Sequence, residues 1–146
     1  MAYTSPVRVK IGGAKELQDA LLALGPKVAR KLCVRALKDA AKVIIDAAQP
    51  HIPVSDMDHP HLEDSLRVRV SNAHKDNERT VFVGFLEPAA RYAHLVEFGS
   101  SRIKPQPFMR PAIDARGAQC IDLIQAELWE DIEAEVAAGP RYVGSI

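Results

Sequence analysis

Cysteine is scarce in this chain. Only Cys33 and Cys120 are present, and neither belongs to a C-x-x-C pair. That leaves no disulfide framework and no zinc-ribbon spacing. Both fall in apolar helical patterns, the setting of reduced core thiols, and whether they could bridge is a matter for the fold. Long apolar runs are also missing: no stretch approaches the roughly 18 residues of a membrane span. Residues 1–10 carry no apolar signal region, so a chain made and folded in a cytoplasm is expected. Net charge is absent as well, with 19 Lys and Arg against 19 Asp and Glu. A neutral molecule is poorly suited to coating nucleic acid non-specifically. The sequence holds no G-x-S-x-G elbow, no glycine-rich phosphate loop and no His/Cys pair in a suggestive context. No enzyme class is indicated, no cofactor is expected, and a structural role is preferred.

What is present is an ordinary globular composition, 47% hydrophobic and 26% charged over 146 residues. This is enough for one core, so a single domain over 1–146 is expected. The charge is unevenly spread. Residues 1–50 hold nine basic and four acidic side chains, a net of +5, and residues 111–146 hold two and seven, a net of −5. A basic front and an acidic back can complement each other within one subunit or between neighbours.

Periodicity predicts the elements. Val7, Val9 and Ile11 alternate with Arg8 and Lys10 as a short strand. Lys15 to Leu24 reads as a short helix, broken at Gly25-Pro26. Lys27 to about Gln49 is the clearest helix, with Val28, Leu32, Ala36, Ala40, Val43 and Ala47 near helical spacing. Pro50 and Pro53 stop it. A proline-bearing polar loop follows over 50–64. Leu66, Val68 and Val70, then Val81, Val83 and Phe85, form an antiparallel hairpin whose long tip is 71–79. Glu87 to Phe98 is a short helix with Tyr92, Leu95 and Val96 inward, ended by Gly99 in the left-handed position. Pro111 to about Ala138 is the last helix, with an apolar stripe of Ile113, Ile121, Ile124, Leu128, Ile132 and Val136. Residues 140–146 read as a free tail. The order β-α-α-β-β-α-α is an α+β fold, with long helices covering one face of a small antiparallel sheet. Three strands with exposed edges invite completion by a neighbouring subunit.

Four constellations are candidates for chemistry or binding. Asp56, Asp58, His59 and His61, with His51 nearby, could bind a divalent metal, but the spacing fits no zinc pattern and a solvated loop is the expectation. Lys27, Lys31, Arg35, Lys38 and Lys42 lie at steps of four, four, three and four, on one helix face. A solvated face is the plain reading; contact with an acidic partner is the sharper one, ahead of DNA phosphates. Glu127, Asp131 and Glu135, with Glu130 and Glu133 beside them, read as a solvated acidic face. His94, beside Tyr92 and Glu97, is expected to pack or hydrogen-bond rather than catalyse.

The fourth constellation runs from Tyr92 to Ser101 and from Lys104 to Ala112. A short helix stops at a glycine, and a proline-stiffened arm delivers Phe108 and Met109 as apolar anchors. Arg110 and Pro111 then open the last helix. This segment resembles the signature of the tail-completion, or head–tail joining, proteins of tailed bacteriophages, the gene-product-ten-like family of lambdoid phages. That pattern reads Y-A-x-x-V-E-F-G-T-S, then P-x-P-F-x-R-P-A. Tyr92, Ala93, Val96, Glu97, Phe98, Gly99, Ser101, Pro107, Phe108, Arg110, Pro111 and Ala112 match it, and Ser100 stands for the usual Thr. Pro53 and the run Leu62 to Leu66 are similar to an upstream part of the pattern, although His61 replaces its usual glycine. Ala36 to Ile44 is similar too.

The resemblance implies an α+β virion protein of the neck, with no catalytic residues and no cofactors. It implies a homo-oligomeric ring, a hexamer by analogy, touching the head connector or adaptor and the tail tube or terminator proteins. DNA would be met only in passing through the ring, and no membrane is involved. Loops 50–64 and 71–79 are the expected contacts with other neck proteins. A minor tail or tail-terminator role, or a soluble nucleic-acid-binding or regulatory domain, are the alternatives.

Overall fold

The computed structural model describes residues 13–54, 61–71 and 78–139. Helix α1 (Ala14–Ala23) is followed by α2 (Pro26–Ala48), a 3-10 turn (Gln49–His51) and the single-turn α3 (Leu62–Ser65). Strands β1 (Leu66–Val70) and β2 (Val81–Phe85) come next, then α4 (Ala90–Phe98) and α5 (Met109–Ala138). This is the expected α+β fold. The expected strand at Val7–Ile11 lies outside the described residues, as do 55–60, 72–77 and the tail from 140. Among the described residues the sheet therefore has two strands rather than three.

α2 is the hub of the fold. Pro26 occupies its first turn, where a missing N–H costs nothing, and alanines at 36, 40, 41 and 48 are buried where other elements approach closely. At 1.5 Å per residue its 23 residues run about 35 Å. Its N-terminal half packs with α1 and the C-terminal half of α5, around Leu17, Leu32, Ala36, Leu128 and Ile132. Its C-terminal end helps build a second cluster with the hairpin, α4 and the start of α5. There Ala48, Ile52, Leu62, Leu66, Ala93, Phe108 and Ala112 are buried. Ile52 and Leu62 thus bind both ends of the expected loop 50–64 into the core.

β1 and β2 pair antiparallel, with Leu66 opposite Phe85 and Val70 opposite Val81. The alternation of the sequence is realised as two faces. Val83 and Phe85 pack onto the core, whereas Arg67, Arg69 and Phe82 are exposed. Two strands carry too little buried face to stand alone, and α2 supplies the rest by packing on both.

Several expectations need correction. α4 begins at Ala90 rather than Glu87, because residues 87–89 form a turn. Its buried positions are Ala93 and Glu97; Tyr92 and Val96 pack inward against the core as expected, half-buried, and Leu95 is half-buried outside that cluster. On α5 the buried positions are Ala112, Cys120, Leu128 and Ile132, while Ile113 and Val136 face solvent. At its start α5 turns Ala112 rather than Ile113 to the core, so the buried positions do not follow the expected stripe. The two cysteines are free thiols. Cys120 is buried and its Sγ donates to the Ala40 carbonyl at 3.4 Å, which ties α5 to α2. Burial pushes the Cys120 thiol upward, and Cys33 likewise, against a smaller opposing pull from Arg79.

Candidate functional site: the α4–α5 junction and the charged helix faces

The first turn of any helix leaves four backbone N–H groups without partners inside the helix. α5 starts on Phe108 as its N-cap residue, and no side-chain bond from Phe108 itself caps it. The need is met from α4. Glu97 Oε2 accepts the N–H groups of Phe108 at 2.8 Å and Met109 at 3.0 Å, and Oε1 accepts that of Arg110 at 3.1 Å. The fourth position is Pro111, which has no N–H to satisfy. One carboxylate therefore completes the whole set of orphan donors, and its charge sits at the positive end of a 30-residue helix. Glu97 is only 8% exposed, so this is a buried charge held by charge-assisted bonds.

The arm between the helices is folded back onto α4. Gly99 N–H donates to the Leu95 carbonyl at 2.8 Å, and Gln106 N–H donates to the Val96 carbonyl at 2.8 Å. The Ser100 hydroxyl accepts from the N–H groups of Arg102 and Ile103, and Ser100 N–H donates to the Ile103 carbonyl. Gly99 has φ +74° and ψ 179°, an extended positive-φ conformation and not the expected left-handed helical one. Side chains are excluded there twice over. The backbone angle disfavours them, and a Cβ would lie 2.8 Å from the Ile103 carbonyl oxygen and from Pro105 Cδ.

Phe108 delivers what the sequence promised. It is 1% exposed, and its ring meets Phe85 edge-on with centroids 5.6 Å apart. Met109 packs on the same cluster from the side, as does Tyr92. On the outside of the junction the Arg110 guanidinium lies over the Phe98 ring, 4.9 Å from its centroid. Phe98, Pro107, Arg110 and Pro111 line a shallow groove with Pro105 and Asp114. Of the motif residues, then, Glu97, Gly99 and Phe108 fix the junction from within, and Phe98, Pro107 and Arg110 form its outer surface.

The capping role of Glu97 was missed in the sequence, although a cue existed. No Ser, Thr, Asp or Asn precedes the last helix at its start, so an acceptor had to come from elsewhere. The same contact explains why α5 begins at Met109 and not at Pro111.

The basic row is realised as expected geometrically. Lys27, Lys31, Arg35, Lys38 and Lys42 are all exposed, and together with Arg30 and Val34 they border an open, shallow trough along α2. Two of them are engaged within the subunit: Arg35 bonds Asp131 of α5 at 3.0 Å, and Lys42 bonds Asp39 at 2.7 Å. That pairing with Asp39 holds the Lys42 ammonium above its ordinary value. Lys27, Lys31 and Lys38 make no ion pair with another described residue.

The acidic row is not the fully solvated face expected. Glu127, Asp131 and Glu135 are half-buried, whereas Glu130 and Glu133 are exposed. Asp131 reaches Arg35 because α2 and α5 pack side by side. Desolvation pushes the Glu127 carboxyl upward, helped by Asp39, Asp131 and Glu130 and opposed by Arg35. His94 is exposed on α4. Asp56, Asp58 and His59 lie outside the described residues; among the described residues no group of three His, Cys, Asp or Glu is placed to hold a metal. Among them too, no helix is long and apolar enough to cross a membrane.

A family model described as "Bacteriophage HK97-gp10, putative tail-component" matches residues 15–99, which run from α1 through α4 to Gly99. No curated protein and no solved structure matches the chain.

Proposed function

Because the chain belongs to the HK97-gp10-like family of bacteriophage tail components, we propose that it is a structural subunit of the virion neck that joins head to tail. In this role it self-assembles into a ring, a hexamer by analogy with related phage proteins. One rim meets the head connector or adaptor, and the other meets the tail tube or terminator. DNA contacts it only by passing through the ring. The role is structural and not catalytic, and it needs no cofactor.

The observation that carries the reading is the locked α4–α5 junction. A neck subunit must hold its binding faces in fixed relation while the particle is under load. Here a buried carboxylate, a glycine with no room for a side chain and a buried phenylalanine fix the longest helix onto the sheet end of the fold. Two of the buried or half-buried carboxylates are occupied structurally: Glu97 caps α5 and Asp131 pairs with Arg35. Charge balance supports a subunit that binds other proteins, since a neutral chain with separated basic and acidic segments favours specific contacts over general attraction to DNA.

The test is the particle phenotype of a phage that lacks this chain. Filled heads and free tails that fail to join, rescued by supplying the chain in trans, are expected. Intact infectious virions without it refute the reading, and joined particles with tails of abnormal length assign it to tail termination instead.

A further inference from the structure

Two helix stripes of this chain are matched in length and opposite in charge, and among the described residues neither takes part in the two core clusters. On α5, Asp122, Ala126, Trp129, Glu133 and Val136 recur at steps of four, three, four and three, so they share one stripe. All five are exposed, including Trp129 at 40% and Val136 at 65%, and Glu130 flanks them. On α2, Lys27, Lys31, Val34, Lys38 and Lys42 form a corresponding stripe. The stripes run about 21 Å and about 22 Å at 1.5 Å per residue. The contact between α2 and α5 inside the subunit uses other positions, Leu32 and Ala36 against Leu128 and Ile132, with Arg35 and Asp131 at its edge.

We propose that the acidic, tryptophan-bearing stripe of α5 in one copy docks along the basic trough of α2 in the next copy. This contact rests on the ring reading given above and names its surfaces. Trp129 lies over Val34, flanked by the aliphatic stems and ammonium groups of Lys31 and Lys38, which suit an indole face. Asp122, Glu130 and Glu133 meet the lysines that have no ion pair with another described residue of their own subunit. An exposed tryptophan among carboxylates is an unfavourable solvent surface and a good interface centre. The occupant is a second copy because the chain carries both complements: a net of +5 in residues 1–50 and −5 in residues 111–146. Because the two stripes are different surfaces, the contact is heterologous, which is the class that closes into rings.

Charge exchange tests it in the full chain. One variant carries Lys31→Glu and Lys38→Glu; the other carries Glu130→Lys and Glu133→Lys. All four sites are exposed, and unchanged circular dichroism and melting verify the fold. In sedimentation velocity at low ionic strength the wild type self-associates, while each variant alone associates more weakly by upwards of roughly tenfold, since like charges now face each other. An equimolar mixture of the two regains association, because each basic stripe again finds an acidic one. Trp129→Ala weakens association without altering its salt dependence. Variants that associate like the wild type, a mixture that fails to recover, or a wild type that stays monomeric each overturn this contact. The head–tail joining reading is judged separately, by the particle phenotype.

Discussion

Removing the carboxylate of Glu97 strips the start of α5 of all its acceptors at once. In Glu97→Ala the Phe108 N–H is left inside the core and the Met109 and Arg110 N–H groups lie at its edge. One buried unsatisfied donor costs about 1–3 kcal/mol and each of the two partly wetted ones about 1 kcal/mol, so about 3–5 kcal/mol is expected in all. For a chain of this size that lowers Tm by about 10–20 °C. Glu97→Gln separates geometry from charge. Its amide oxygen can keep two of the three N–H groups, but its NH2 then faces the third, and the favourable charge at the helix terminus is gone. A loss of about 1.5–3 kcal/mol follows, between the wild type and the alanine variant. Thermal melts and urea titrations read the totals. Amide hydrogen exchange at Met109 and Arg110 reads the cause, because those amides become fast in Glu97→Ala while the helix interior near Leu128 stays slow. A Glu97→Ala protein melting within about 2 °C of wild type would refute the capping argument.

Three further outcomes follow from the same geometry. Gly99→Ala places a Cβ against backbone atoms at 2.8 Å in a positive-φ conformation, and a loss of roughly 2–4 kcal/mol in a urea titration is expected. Phe108→Ala removes the largest fully buried side chain among the described residues, with its edge-on contact to Phe85, costing roughly 3–5 kcal/mol by the same measurement. The Glu127 carboxyl is held above its ordinary value chiefly by desolvation, so the folded chain keeps this proton to higher pH than the unfolded chain does. The associated stability is present in full below the unfolded carboxylate pKa and is lost as pH rises through the folded value. Glu127→Gln should therefore melt higher than wild type at neutral pH. The gap should close below about pH 4, as wild-type Glu127 takes up its proton; a gap independent of pH contradicts this assignment.

Much of this protein is written in short-range pattern. Glycine and proline at 25 and 26 start α2, and the alternation of apolar residues with arginines over 66–70 makes a strand with one core face. The glycine at 99 and the prolines at 105 and 107 announce a fixed arm after α4. These features act through backbone angles and side-chain period, which neighbours in the chain decide. The family signature was legible for the same reason, because Tyr92 to Gly99 is one continuous element and its stop.

What only the tertiary structure decided is who meets whom. Glu97 looks like a surface helix residue until α5 arrives with three bare N–H groups and a proline. Asp131 looks solvated until α2 brings Arg35 beside it, and the α5 stripe looks continuous until the fold turns Ala112, not Ile113, to the core and leaves Val136 outside. The energy of a buried charge or an unsatisfied amide depends on partners more than ten residues away. No local pattern carries that information, because chain folding alone sets those distances.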